Sequence, residues 1–103
     1  MTARLIALYG RPTDTAAFDR HYRETHIPLA KKLPGLRSYT VSDGQVGAPD
    51  GKAPYYLIAE LTFDSLSDIQ AALGSAEGAA AAGDLSTFAS GGATLLWYEV
   101  RDA

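Results

Sequence analysis

The strand-like stretches of this 103-residue chain are apolar at odd and even positions alike, and that limits its fold more than any other feature. Leu5, Ala7 and Tyr9 alternate with Ile6 and Leu8. Tyr55, Leu57, Ala59, Leu61 and Phe63 alternate with Tyr56, Ile58, Glu60 and Thr62, and Leu96, Tyr98 and Val100 alternate with Leu95, Trp97 and Glu99. A sheet with one wet face reads apolar-in, polar-out. A sheet that is apolar on both sides needs two covers, and the chain's own helices can supply only one. The simplest second cover is another copy, sheet against sheet about a two-fold axis. Several hundred Å² of apolar surface at ~25 cal/mol/Å² is worth on the order of 10 kcal/mol before association costs. A homodimer is expected.

The order of elements follows from periodicity and punctuation. Arg4 to Tyr9 reads as a strand closed by Gly10, Arg11 and Pro12. Asp14 suits an N-cap, after which Phe18, Tyr22, His26, Leu29 and Leu33 recur at helical spacing. Pro28 removes a backbone donor and biases Ile27 away from helical angles, so a kink or two helical pieces are expected around residues 26–28. Pro34 and Gly35 end the second piece, and a strand follows over residues 36–42. Residues 43–54 hold three glycines and two prolines and read as a long exposed loop. Residues 55–63 form a third strand. Ser65 to Asp68 has capping-box-like spacing and opens a helix to about Leu73. The alanine- and glycine-rich stretch 74–92 predicts short helical pieces, and 94–100 the last strand. The sum is βαββαβ, a single α+β domain of ferredoxin-like topology with a four-stranded antiparallel sheet.

Composition excludes several classes of function. A net charge of −3 leaves no electrostatic footprint for nucleic acid. No apolar run reaches membrane-spanning length and no basic amphipathic stretch occurs, so no membrane partner is expected. The absence of cysteine removes disulfides, thiolate nucleophiles and Cys-type metal sites, and favours a reducing compartment, read here as the cytoplasm. Neither phosphate-binding glycine loops nor a nucleophile elbow are present. No cofactor and no metal is expected.

The run Leu8-Tyr9-Gly10-Arg11-Pro12, then Phe18 to Ala30 with its aromatic-x-x-x-Tyr-x-x-x-His-x-Pro-Leu pattern, then Leu33-Pro34-Gly35-Leu36, resembles the signature of the EthD family. That family is named after ethyl tert-butyl ether degradation. The resemblance is strong over the first third and looser after Leu73. It implies a dimeric α/β barrel with a cavity between helices and sheet in each subunit. It also implies kinship with cofactor-free monooxygenases, lactone isomerases, polyketide cyclases and haem enzymes. An association with oxidoreductase systems of catabolism comes with the family label, although no residue here forms a redox centre.

Tyr22 and His26 lie four apart, hence on one helical face, directed at the sheet. A histidine of near-neutral pKa there can serve as general acid or base on an enolisable carbonyl or a phenol, with Tyr22 beside it and a carbonyl freed by Pro28 to orient the ring. The same features equally describe a semi-buried histidine that fixes the bend. Tyr9, Phe18, Leu29, Tyr55 and Trp97 are the candidate substrate-binding residues, suited to a small apolar or aromatic ligand, a lactone or a polyketide-like compound. His21, on another helical face, is expected in solvent, and Glu60 is expected to pair with Arg4 or Arg37. Two functions fit: a cofactor-independent enzyme of isomerase, cyclase or monooxygenase type, or a non-catalytic binding or accessory protein of a catabolic oxidoreductase system. A pocket of a few hundred Å³ beside the imidazole favours a ligand; its absence favours structure alone.

Overall fold

In the computed structural model, which describes residues 2–51 and 53–103, the chain runs β1 (Thr2–Gly10), α1 (Thr15–His21), a π-helical turn (Tyr22–His26), α2 (Ile27–Ala30), β2 (Ser38–Val41), β3 (Tyr55–Phe63), α3 (Leu66–Leu73), α4 (Ala76–Phe88) and β4 (Ala93–Val100). The strands form one antiparallel sheet ordered β2-β3-β1-β4, the ferredoxin-like α+β arrangement expected from the sequence. Among the described residues no helix is long and apolar enough to cross a membrane.

Register assigns the two faces. Ala3, Leu5, Ala7 and Tyr9 of β1 lie beside Phe63, Leu61, Ala59 and Leu57 of β3, and most are buried under the helices. Leu95 and Trp97 of β4 pair with Ala7 and Leu5, and so share that face. The opposite face carries Ile6, Leu8, Ile58, Leu96, Tyr98 and Val100, interspersed with Arg4, Glu60 and Thr62. It is a mixed surface, apolar along its middle, with Leu96 and Tyr98 about half exposed.

Capping follows the sequence. Asp14 Oδ1 accepts from the Ala17 amide, and Ser65 Oγ accepts from that of Asp68. Around Pro28 the helical pieces α1 and α2 are joined by a π turn that ends at His26, with helical backbone throughout. The inward residues Phe18, Tyr22, His26 and Ala30 are spaced by four, which rotates an α-helix about 40° too far at each step. The wider π turn absorbs that excess, and the Ile27 amide bonds back to the Tyr22 carbonyl. Ile27 keeps helical angles (φ −57°, ψ −48°), and Pro28 sits in the first turn of α2. Ala30 therefore turns inward and Leu29 sideways.

The alanine-rich stretch gives a second correction. Instead of short pieces it forms a single 13-residue helix, α4, capped by Ser75, whose Oγ accepts from the Gly78 amide. Gly78 is what allows α4 to sit this close to α3, since a Cβ there would lie 2.2 Å from the Ala72 carbonyl oxygen.

Candidate active site

Packing of α4 beside α1, the π turn and α2 brings Asp84 against the first helix. Asp84 Oδ2 lies 3.0 Å from His26 Nδ1, and Oδ1 lies 2.8 Å from His21 Nε2. A carboxylate oxygen only accepts, so both ring nitrogens donate. His26 is therefore the tautomer with its proton on Nδ1 and a lone pair on Nε2. Into that lone pair the Tyr9 hydroxyl donates at 3.3 Å, a long and weakly held bond.

His26 is 5% exposed. Burial lowers its pKa below the ordinary value; the hydrogen bond and charge of Asp84 oppose that shift without cancelling it, and nearby His21 reinforces it. A neutral imidazole results. Burial, above all, pushes the phenols of Tyr9, Tyr22 and Tyr39 up, which keeps them protonated. The Tyr22 and Tyr39 hydroxyls share a 2.6 Å hydrogen bond. The rings of Tyr22 and Phe88 pack on the imidazole, with centroids 5.4 and 4.8 Å away, and fix its plane.

Nδ1 of the imidazole is held by Asp84. The ring edge also borders a cavity of about 50 Å³ between helices and sheet, lined by Tyr9, Tyr39, Leu5, Ala7, Ala30, Leu33, Ala59, Leu61 and residues of α4. Among its lining residues Leu73, Ala81, Leu85 and Leu95 are partly exposed and Ala82 is exposed. The volume is well below the few hundred Å³ that would hold a whole ring compound.

Of the residues singled out from sequence, Tyr9, Phe18, Tyr22 and His26 converge in one aromatic cluster, with Tyr9 and His26 on the cavity wall. Leu29 is off that wall, replaced by Ala30 for the reason given above. Tyr55 borders a different feature, an open groove of about 740 Å³ with Arg11, Asp19 and Ser42. Trp97, 45% exposed on the edge strand, stands two residues beyond Leu95 on the helix side of the sheet. His21, expected in solvent, is instead half-buried against Asp84 and stacked on Phe88. No carbonyl freed by Pro28 orients His26; Asp84 does. Glu60 pairs with Arg4 at 4.0 Å on the face without helices, while Arg37 pairs with Asp64. Asp84 and Phe88 were not among the candidates, and Tyr39 stood only among the aromatic residues suited to either a ligand or an interface. Asp84 stands in a low-complexity stretch, 58 residues from its partner, and carries no local signal. Among the described residues no group of three or more His, Cys, Asp or Glu is arranged to hold a metal ion.

Comparison with known proteins agrees with the fold. The chain is 39% identical over 97 residues to an uncharacterized 11.0 kDa protein of the thcB-thcC intergenic region of Rhodococcus erythropolis, spanning 93% of this chain and 92% of the relative. It superposes on a crystal structure of an EthD family protein from Bacillus halodurans with a TM-score of 0.88 and 42% identity, covering 98% of this chain and all of the other. At the level of fold alone it matches SnoaB, a cofactor-independent oxygenase of Streptomyces nogalater, with a TM-score of 0.69 and 14% identity over 99% of this chain and 95% of that one. Residues 10–92 match the EthD domain, and the chain belongs to the EthD family.

Proposed function

We propose that this EthD-family chain is an acid–base enzyme acting on a small, mostly apolar molecule without a bound organic cofactor. The observation that carries this is the Asp84–His26–Tyr9 line. A carboxylate fixes the tautomer of a buried neutral imidazole, whose basic nitrogen meets a phenol on a cavity wall. Asp84 stabilises the imidazolium that forms when Nε2 takes a proton, and Tyr9, whose bond to Nε2 is long, yields to or relays for the substrate. The apolar wall limits water at the reacting atoms. The fold shared with a cofactor-independent oxygenase is compatible with isomerisation, cyclisation or oxygenation. The size of the cavity favours compact substrates over extended polyketides. A cysteine-free chain suits work in the cytoplasm.

We further propose that two copies pair through the face carrying Ile6, Leu8, Leu96 and Tyr98. Burying that middle band removes a half-exposed apolar strip from water.

His26→Ala tests the reading on a panel of lactones, quinols and enolisable ketones. Turnover lost by about 10²-fold or more with ligand binding retained supports it. Turnover equal to that of the parent removes His26 from the mechanism. The small volume of the cavity favours a second, non-catalytic reading in which His26 and Asp84 serve the packing of the helices, as no binding and no turnover of these compounds in either protein would establish. A carrier or accessory protein is the remaining alternative. Saturable binding of the same compounds with no turnover in either protein establishes it.

A further inference from the structure

His21 and His26 are five residues apart, and on a regular α-helix that spacing turns two side chains about 140° away from each other, too far for both to reach one group. Here both reach Asp84. His21 Nε2 donates to Oδ1 at 2.8 Å, and His26 Nδ1 donates to Oδ2 at 3.0 Å. The π turn over Tyr22–His26 makes the difference. Its bond from the Ile27 amide to the Tyr22 carbonyl spans five residues in place of four, and the extra residue removes about 100° of the divergence. Two imidazoles from neighbouring turns of one helix thus grip the two oxygens of a single carboxylate from α4.

A carboxylate does not orient itself. The last torsion of an aspartate is broad and two-fold, so the partners of its oxygens decide which way Asp84 faces. With its side chain only 10% exposed, water has little room to take that part. Of its two bonds the one to His21 is the shorter, and His21 is in turn held by stacking on Phe88, with centroids 5.2 Å apart and planes 23° apart. His21 does not line the cavity that His26 borders, so it can act there only through Asp84. We propose that His21 is a positioning residue: by anchoring Oδ1 of Asp84 it presents Oδ2 to Nδ1 of His26, and so holds His26 in the tautomer whose Nε2 is free to take a proton. This deepens the acid–base reading and rests on it for any consequence in turnover.

Nitrogen-15 NMR of the histidine rings tests the role without a substrate. At neutral pH the parent is expected to carry a proton on Nε2 of His21 and on Nδ1 of His26. Two variants follow, each checked for retained fold by circular dichroism. His21→Phe keeps a ring on Phe88 and removes the N–H; His21→Gln gives up the ring but brings an amide N–H to the place of Nε2. In His21→Phe the ratio of the two His26 tautomers is expected to move about tenfold toward the Nε2–H form, the scale of one charge-assisted hydrogen bond, and in His21→Gln to return most of the way. On the panel of lactones, quinols and enolisable ketones, kcat is expected to fall by about the same tenfold in His21→Phe with KM unchanged, and to recover in His21→Gln. A parent whose His21 carries its proton on Nδ1 alone overturns the proposal, and that result needs no variant to fold. So does a His26 tautomer ratio equal in parent and His21→Phe, whatever happens to the thermal midpoint, since that is what a merely structural His21 gives. A shift equally large in His21→Phe and His21→Gln assigns the effect to the lost ring and overturns it too. A tautomer shift that His21→Gln reverses, with no compound turned over by the parent, leaves the role of His21 standing and sinks the catalytic reading instead, so the two fail separately.

Discussion

At the scale of single residues, His26 shows how burial and one carboxylate compete. Burial is the larger effect and lowers its pKa; Asp84 restrains the shift. The sign for stability follows. Just below the ordinary histidine value of about 6.5, the unfolded chain takes up a proton that the folded chain resists. Stability is therefore unaffected by this group above about pH 6.5 and falls as pH drops below it. Thermal midpoints compared at pH 5 and 7.5 are expected to differ less in His26→Gln than in the parent. Asp84→Asn, measured for turnover, is expected to lose about 10²-fold or more, because general acid–base catalysis contributes on that scale and needs the correct tautomer. Asp84 was invisible in the sequence for a physical reason: an acidic residue among alanines has no periodicity or motif to mark it, and its meaning lies in two histidines far along the chain. His26 and Tyr22, by contrast, were legible, since their spacing and apolar neighbours fix the face they share.

At the scale of elements, α4 decides the site. It contributes little apolar area of its own, but it carries Asp84, Leu85 and Phe88 to the first helix through a close approach that Gly78 permits. Replacing a helical glycine by alanine ordinarily stabilises by about 1 kcal/mol. At Gly78 the new methyl group would collide with backbone, so Gly78→Ala is expected to destabilise by about 1–3 kcal/mol in urea unfolding. Phe88 packs on Tyr9, Phe18, His21, Tyr22 and His26, and Phe88→Ala is expected to cost about 3–5 kcal/mol and to loosen the imidazole as well. The π turn is the other decisive element. Helical periodicity located the helix and its inward face to Tyr22 and His26, but a uniform 3.6-residue repeat cannot say where one extra residue is inserted. Leu29 and Ala30 exchange roles for that reason alone.

At the scale of the whole molecule, the uncovered sheet face sets the expected assembly. Leu96 lies beside Ile6, which in turn neighbours Glu60, so a second carboxylate there places like charges on a surface proposed to be buried. Leu96→Glu is expected to sediment as a single subunit at micromolar concentration with its circular dichroism unchanged, whereas the parent sediments as a pair. A parent that runs as a single subunit removes the pairing. The band of apolar side chains is narrower than the strand pattern suggested, because Arg4, Glu60 and the threonines interrupt it, and the stabilisation on pairing is correspondingly smaller.

What the sequence determined by itself was whatever repeats locally: strand alternation, the first helix, the caps at Asp14 and Ser65, the order βαββαβ, and the likeness of the first third of the chain to one family. Tertiary structure alone decided which carboxylate meets His26, which tyrosines face the cavity and how large that cavity is. Those depend on side chains brought together from opposite ends of the chain. Local pattern specifies the face a residue shows, and only the packing of α4 against the other helices specifies what it meets.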